Sequence, residues 1–309
     1  MLLRIVPSSV VITGATGFIG AAVVRELVHR AIPTTVLLRP ASDLTRLAGL
    51  SGFERIVFTH FNEPSLVEKL RERQPNIFIH CAWRGVLGGA RNEAFQITEN
   101  VPLTIQSVEL AHASGCQQWI GLGSQAEYGN LNRRLDESAP TTPTTAYGRG
   151  KLAAGIAALG LAETLGLRGA WLRIFSTYGP GDAPQWLVQH VIREFLEGRT
   201  PQLTRCEQLW DYLYVADAAR ALVSVANGET AGVFNLGSGH AVVLKELIEA
   251  IRRIAGSTVE PAYGAVPYRP DQVMHLEADI GKLQRATGWF PTTSLEEGLR
   301  ATVAAAKPS

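Results

Sequence analysis

Three side chains in this sequence could together move a proton to or from a carbonyl oxygen. Ser124 opens Ser124-Gln125-Ala126-Glu127-Tyr128-Gly129, and Tyr147 and Lys151 bracket Tyr147-Gly148-Arg149-Gly150-Lys151. The i, i+4 spacing puts Tyr147 and Lys151 on one helix face, where side chains meet. Pro143 and Thr144 stand just before them, so a helix is predicted to start nearby. An isolated Tyr titrates near ~10 and is a poor base at neutral pH. Bringing it to 7 requires about 4 kcal/mol of added phenolate stabilisation. A nearby ammonium can supply part of that. Ser124 would then hydrogen-bond the reacting oxygen. A Tyr and a Lys four apart also occur by chance as a surface ring and a solvated ammonium. The N-terminal residues select the chemical reading.

Ser9-Val10-Val11-Ile12-Thr13 is a short β-branched run, read as a buried strand. Gly14-Ala15-Thr16-Gly17-Phe18-Ile19-Gly20 follows directly, and Val23, Val24, Leu27 and Val28 then recur at helical spacing over 21–30. Strand, glycine turn and helix form the context that gives a glycine pattern meaning. Gly14 allows a tight turn, Gly17 lets backbone approach a pyrophosphate, and Gly20 lets helix pack on strand. The helix N-terminus offers N–H groups and a positive dipole end to phosphates. The spacing is GxxGxxG rather than GxGxxG. It implies a dinucleotide, whose cationic nicotinamide ring would add to the stabilisation of a phenolate. The second strand, 35–38, ends in Arg39, where an NAD site usually carries Asp or Glu for the ribose 2′-OH. Arg39 can instead pair with a 2′-phosphate and Ser42 can add a hydroxyl, so NADP(H) is favoured over NAD(H). An Arg stacked on adenine without preference is the alternative.

Taken together these residues resemble the extended short-chain dehydrogenase/reductase family, in its nucleotide-sugar epimerase, dehydratase and reductase branch. Nearly the whole chain takes part. His80-Cys81-Ala82-Trp83 resembles the family's HxAA strand end beside the cofactor, and Asn100-Val101-Pro102-Leu103-Thr104 its NVxGT helix. Arg173-Ile174-Phe175-Ser176-Thr177-Tyr178-Gly179-Pro180 is similar to RxxNVYGP, and Trp210-Asp211-Tyr212-Leu213-Tyr214-Val215-Ala216-Asp217 to RDxxHVxD. Phe234-Asn235-Leu236-Gly237-Ser238-Gly239 and Thr287-Gly288-Trp289-Phe290-Pro291 also fit.

The resemblance implies that Tyr147 is the acid/base, that Lys151 lowers its pKa and holds the nicotinamide ribose, and that Ser124 orients the sugar oxygen. It implies cofactor contacts at Gly14, Thr16, Gly17, Phe18, Ile19, Gly20 and Ala82. Asn62 stands where an Asp often touches adenine. Trp83, Arg84, Gln125 and Tyr178 are expected to line the sugar pocket, and Arg269 to hold the substrate diphosphate as a bidentate phosphate binder. An Arg269–Asp271 surface pair is the plainer reading. Ser176 replaces the usual Asn, and Trp210 replaces an Arg that often meets the diphosphate. Two outcomes share the Ser, Tyr and Lys set. One is reduction of a nucleotide-linked 4-keto-6-deoxy sugar, favoured by Arg39 and by the run 207–215; the other is 4-epimerisation. A fold that only binds nucleotide, as a regulator, is the non-enzymatic alternative. A 4,6-dehydratase is not expected, because Gln125 and Ala126 replace the Asp-Glu pair that eliminates water. Glu127 is expected in an extended segment, pointing away, in a surface or backbone-bonding role.

Strand-like runs at 35–38, 55–58, 77–80, 118–122 and 168–174 alternate with helical ones. This predicts an α/β, doubly wound parallel (Rossmann) sheet. A helix is predicted over 185–196, and 234–236 returns as a strand. The dinucleotide domain is expected at 1–180 and 210–244, and a smaller discontinuous α/β substrate lobe at 181–209 and 245–309. The last residues read as frayed. Leu152, Ile156 and Leu159 extend the apolar surface of the Tyr147 helix. Core packing explains it, and the family resemblance adds a homodimer helix bundle.

The 309 residues carry a net charge of +1, which implies no field for nucleic acid or anionic membranes. No apolar run reaches spanning length, and no signal peptide is recognised before the first strand. Cys81, Cys116 and Cys206 form no CxxC and are odd in number, which suits a reduced cytoplasm. The seven histidines show no ligand spacing, so no metal is expected.

Overall fold

The structure, a computed structural model, describes residues 9–307. Residues 1–8 and 308–309 lie outside it, and with them the outer ends of both expected domains and part of the expected fraying. The first half runs β1 (Val10–Thr13), α1 (Phe18–His29), β2 (Thr34–Leu38), β3 (Glu54–Val57), α2 (Pro64–Glu72), β4 (Ile77–His80), α3 (Phe95–Thr98), α4 (Asn100–Ala113), β5 (Gln118–Ser124), β6 (Arg133–Leu135) and α5 (Ala146–Thr164). It continues β7 (Arg168–Ile174), β8 (Ser176–Tyr178), α6 (Leu187–Leu196), β9 (Gln202–Leu203), β10 (Leu209–Tyr214), α7 (Val215–Ala226), β11 (Gly232–Leu236), β12 (Ala241–Val243), α8 (Leu244–Ala255), β13 (Ala262–Tyr263), β14 (His275–Ala278), α9 (Gly281–Thr287) and α10 (Leu295–Ala306).

Seven strands form one parallel sheet in the order β11-β7-β5-β4-β1-β2-β3. Its central strands are apolar on both sides, as a sheet covered on both faces must be. Val10 and Ile12 point into the core under α1 and α7, while Val11 points into the core under α2, α4 and α5. The first core collects Val23, Val24 and Leu27 with Leu222 and Val225. The second collects Leu66, Leu70, Val108, Ala154, Ala158 and Trp171. Trp119 and Trp171 stack with centroids 6.2 Å apart. Gly121 and Gly123 of β5 make room for them: a Cβ on Gly121 would lie 2.3 Å from the Trp119 ring, and one on Gly123 2.4 Å from Trp171 Nε1.

A second sheet runs β12-β10-β14-β6, with β8 pairing β10. Of its pairs, β10 with β12 is antiparallel and the others are parallel. Within the segment 210–244, β11 thus joins the large sheet, while β10 and β12 join this one. A third core packs α6, α8 and α10 through Val191, Ile192, Phe195, Leu247, Ile251 and Leu299. Asn235 of β11 stitches the two sheets together. Its amide donates to the Leu135 carbonyl at 2.8 Å, and its oxygen accepts the Tyr128 hydroxyl at 2.7 Å. Asp211 of β10 is fully buried and accepts from Ser238 N and Oγ (2.7 and 2.6 Å), Gly239 N (3.1 Å) and Ala278 N (3.1 Å). Burial pushes its carboxyl up, and these donors pull it back.

Asp211→Ala strands three backbone N–H groups at once. Each unsatisfied buried donor costs about 1–3 kcal/mol, so a loss of at least about 3 kcal/mol is expected, read as a lower urea midpoint at unchanged slope. A shift below 1 kcal/mol would remove Asp211 from this structural role.

Candidate active site

The glycine turn closes as its sequence requires. Gly14 adopts φ +68°, and a Cβ there would lie 2.5 Å from the Ala82 nitrogen and the Cys81 carbonyl carbon. A Cβ on Gly20 would lie 2.2 Å from the Gly14 oxygen, so helix and turn fit only without side chains. Gly17 is exposed, and a Cβ there would meet only the Gly14 oxygen, at 3.2 Å. One side of the turn is therefore bare backbone. No side chain caps α1, which leaves its first-turn N–H groups for an anion. Thr16, Phe18, Ile19 and Ala82 are half-buried around this turn. These residues fit a dinucleotide pyrophosphate. Arg39 follows β2 and is exposed, its backbone N donating to Ser42 Oγ at 3.0 Å. Asn62 is exposed beyond β3. Arg46, absent from the sequence reading, bridges the Thr16 carbonyl (3.3 Å) and the Gly181 carbonyl (2.8 Å). It ties the glycine turn to the chain that leaves β8. No local pattern in the sequence marks it.

Ser124 is the last residue of β5, two residues beyond the expected strand end. A 3-10 turn, Gln125–Glu127, follows in a capping box: Ser124 Oγ accepts from Ala126 N, and Glu127 accepts from Ser124 N at 2.8 Å. The turn is the physical reason that Glu127 departs from expectation. It swings the carboxylate inward instead of outward. Glu127 is fully buried, ion-paired to Arg173 at 2.8 Å and accepting from Trp171 Nε1 at 3.0 Å. Its backbone-bonding role stands, but it is no surface residue.

Thr145 caps α5 through its hydroxyl, accepting from Gly148 N at 3.1 Å, so the helix starts at Ala146, and Tyr147 and Lys151 share its buried face. Burial pushes the Tyr147 phenol up, the Ser124 hydroxyl and the Arg91 charge pull it down, and Glu127 adds to the rise. Lys151 Nζ donates to the Leu122 carbonyl at 2.6 Å, lies 3.9 Å from the Trp83 ring centre and 6.0 Å from that of Tyr147. Burial lowers Lys151 to about 7, against the pull of Glu127 and Cys81. Trp83 packs edge-on to Tyr147 at 6.1 Å and donates to Gln96 Oε1 at 2.7 Å. Gln125 is half-buried beside Ser124.

Two expected pocket residues lie elsewhere. Arg84 is exposed, paired with Glu99 at 2.6 Å and stacked over Phe95. Its backbone N and O are both held by the Asn100 amide, which directs the side chain outward onto α3. Tyr178 is 1% exposed in the third core, its hydroxyl donating to the Leu295 carbonyl at 3.1 Å. It supports the packing of α10 rather than a sugar. Arg269 is exposed in the 264–272 loop, and no ion pair joins it to Asp271 among the described residues; its positive charge acts on Arg91. Ser176 and Trp210, the two departures, bond to each other, Trp210 Nε1 donating to Ser176 Oγ. Among the described residues no group of three or more His, Cys, Asp or Glu could hold a metal ion, and no helix is long and apolar enough to cross a membrane.

A model of the NAD dependent epimerase/dehydratase family matches residues 10–237, which span the whole seven-stranded sheet. The chain belongs to that family. It is 28% identical over 337 residues to dTDP-glucose 4,6-dehydratase 1 of Escherichia coli (strain K12), covering 95% of this chain and 91% of the relative. Among solved structures it is similar to the UDP-N-acetylglucosamine 4-epimerase from Methanobrevibacter ruminantium M1 in complex with UDP-N-acetylmuramic acid (TM-score 0.86, 25% identity, 97% of this chain and 98% of that one). It is also similar to MoeE5 in complex with UDP-glucuronic acid and NAD (TM-score 0.81, 28% identity, 96% and 98%). The relatives are dehydratases and epimerases, so the chain belongs to a family of NAD-dependent enzymes.

The buried Lys151 generates a pH prediction. Its folded pKa lies near 7, below the ordinary lysine value of 10.5. Between those values the unfolded chain binds a proton that the folded chain does not, so stability rises with pH. The clean window is pH 7 to 9, below the raised thiols of Cys81 and Cys116. A slope of about 1 kcal/mol per pH unit is expected from urea midpoints, and Lys151→Met should flatten it. An unchanged slope in that variant would show that Lys151 stays fully charged in the fold.

Proposed function

We propose that the protein is an NAD(P)H-dependent reductase of a nucleotide-linked 4-keto-(6-deoxy) sugar. The observation that supports the chemistry is that Ser124, at the end of β5, meets Tyr147 and Lys151 of α5, in a sheet where the Gly14 turn packs against Ala82. A bound nicotinamide dinucleotide supplies the hydride. The chain's own groups do the rest. Ser124 hydrogen-bonds the sugar keto oxygen, and Tyr147 gives it a proton. Lys151 holds the nicotinamide ribose and keeps positive charge near the phenolate that remains. The glycine turn and the N-terminus of α1 hold the pyrophosphate. Residues 181–209 and 245–309 supply the substrate side, where Gln125 and Trp83 border the sugar and Arg269 meets the diphosphate. Exposed Ile156 on α5 and Ile97 on α3 support a homodimer. A cytoplasmic setting suits the free thiols.

Arg39 supports NADP(H) as the preferred cofactor, because it presents a cation and no carboxylate at the end of β2. A second reading, 4-epimerisation with NAD, is favoured by the similarity to the 4-epimerase and to the NAD-bound MoeE5. A 4,6-dehydratase is disfavoured even though such enzymes are among the relatives. Gln125 and Ala126 supply no acid, and Glu127 is committed to Arg173 and Trp171.

Purified protein mixed with NADPH and a nucleotide-linked 4-keto-6-deoxy sugar is expected to consume both. Interconversion of a nucleotide hexose and its 4-epimer, with no net cofactor consumption, would establish the second reading instead. Binding of cofactor with neither reaction would make the fold a nucleotide-binding regulator. Tyr147→Phe keeps the ring and loses the proton, so turnover should fall by about 10²–10⁴-fold while cofactor affinity holds. Near-normal turnover would take Tyr147 out of the mechanism.

For cofactor choice, Arg39→Asp removes a charge-assisted phosphate contact worth about 1.5–3 kcal/mol. NADPH affinity should drop by at least about 10-fold, with little change for NADH. Equal wild-type dissociation constants for NADH and NADPH, measured by fluorescence titration, would remove the NADP preference.

A further inference from the structure

Arg91 belongs to no motif of the sequence, yet its guanidinium lies over the Tyr147 ring, 4.3 Å from the centroid. The side chain is half-buried, and its one hydrogen bond is a long contact to the Val86 carbonyl at 3.5 Å. It has no carboxylate partner among the described residues, and besides Tyr147 the charge that acts on it is the like charge of Arg269. A partly desolvated cation without an anion costs stability. The chain nevertheless builds a frame for it. Gln96, fully buried, donates to the Gly85 and Ala90 carbonyls at 2.6 and 2.9 Å and so fixes the loop that carries Arg91.

We propose that Arg91 is the positioning residue for the proton of Tyr147: its cation, fixed over the ring, stabilises the phenolate and so sets how readily Tyr147 gives the proton up. The inference rests on Tyr147 being the proton donor. In the reducing direction the phenol O–H bond breaks and its proton passes to the sugar oxygen; the carbonyl carbon would take its hydride from the bound nicotinamide dinucleotide, and the negative charge left on Tyr147 falls beneath the guanidinium. Lys151 serves this purpose less directly. Its ammonium is directed to the Leu122 carbonyl and the Trp83 ring, and it titrates near 7, whereas a guanidinium stays charged throughout the working range. The other groups facing Tyr147 are Ser124 from the end of β5, which also favours the phenolate, and Glu127 from the 3-10 turn, which opposes it. Arg173 of β7 offsets Glu127, and α3 brings only the uncharged Gln96.

The test is a phenolate absorbance titration of substrate-free protein, each form corrected by its Tyr147→Phe counterpart. Removing the cation disfavours the ionised form, so Arg91→Gln should move the Tyr147 ionisation up by about one pH unit, the scale of a partly desolvated cation–π contact. Arg91→Lys should restore most of the shift. In turnover, the alkaline limb of kcat/KM assigned to Tyr147 should move up by the same amount. A loop-holding role alone would lower kcat without moving that limb. If Arg91→Gln fails to fold, Arg91→Met, which keeps the stem, takes its place. Ionisation unmoved in the neutral variant, or moved equally by Arg91→Lys, overturns the inference. Because the titration uses no substrate, it decides the role of Arg91 separately from the proposed reaction, which fails instead if Tyr147→Phe keeps its turnover.

Discussion

The site exists because α5 comes unusually close to β5 and the turn that follows it. A Cβ on Gly148 would lie 2.4 Å from the Ala126 carbonyl oxygen, one on Gly150 2.5 Å from the Gln96 oxygen, and one on Gly155 2.7 Å from Trp171 Nε1. Any side chain at these positions would lift the helix off the sheet and carry Tyr147 and Lys151 away from Ser124. Ala154, Ala158 and Ala162 continue the thin face to the far end of the helix. The glycines inside Tyr147-Gly148-Arg149-Gly150-Lys151 are therefore as much part of the constellation as the reactive side chains. Gly in a helix costs about 1 kcal/mol relative to Ala, and the packing of Trp119 and Trp171 beneath this face offsets it.

That close packing removes water from four charged groups, one ion pair and two separate cations, and the structure compensates them differently. Arg173 and Glu127 form a buried pair that also takes up Trp171 Nε1 and the Ser124 backbone. Lys151 has a carbonyl and an indole face but no direct counter-ion among the described residues, and burial loosens its hold on the proton. Arg91 has the Tyr147 ring and a long contact to the Val86 carbonyl, and no carboxylate partner among the described residues. A well-compensated pair thus lies beneath the reacting atoms and two under-compensated cations beside them. That is the order expected where negative charge must form transiently on a phenol.

What the sequence made legible was whatever short-range spacing determines. The strand-turn-helix around Gly14 and Gly20, the shared face of Tyr147 and Lys151, and the parallel sheet all follow from periods of two and of 3.6 and from positions only glycine can hold. The rest depends on where loops send their side chains. Arg84 and Arg91 lie seven residues apart in the same loop, and sequence favoured the first. The Asn100 amide turns Arg84 outward and Gln96 holds the segment that turns Arg91 inward, both long-range effects. Tyr178 went to the third core because α10, more than a hundred residues later, supplies its acceptor. Glu127 was misplaced because a capping box converted an extended segment into a turn. β6 is three residues long and charged at two of them, so no period marks it.

The paired departures at Ser176 and Trp210 explain why the reactive trio says little about the substrate. The positions lie diagonally across the β8–β10 pair, Ser176 being in register with Tyr212, two residues beyond Trp210. With Asn and Arg in their family places, this edge would present an amide and a cation. Here the indole N–H is spent on the serine hydroxyl, so the pair is satisfied internally and neutral. The positive charge on the substrate side then comes from Arg269 on its exposed loop and, nearer the phenol, from Arg91. Under the proposed function, the cations that would meet the substrate are carried by loops, whereas the packing that joins Ser124, Tyr147 and Lys151 belongs to β5 and α5.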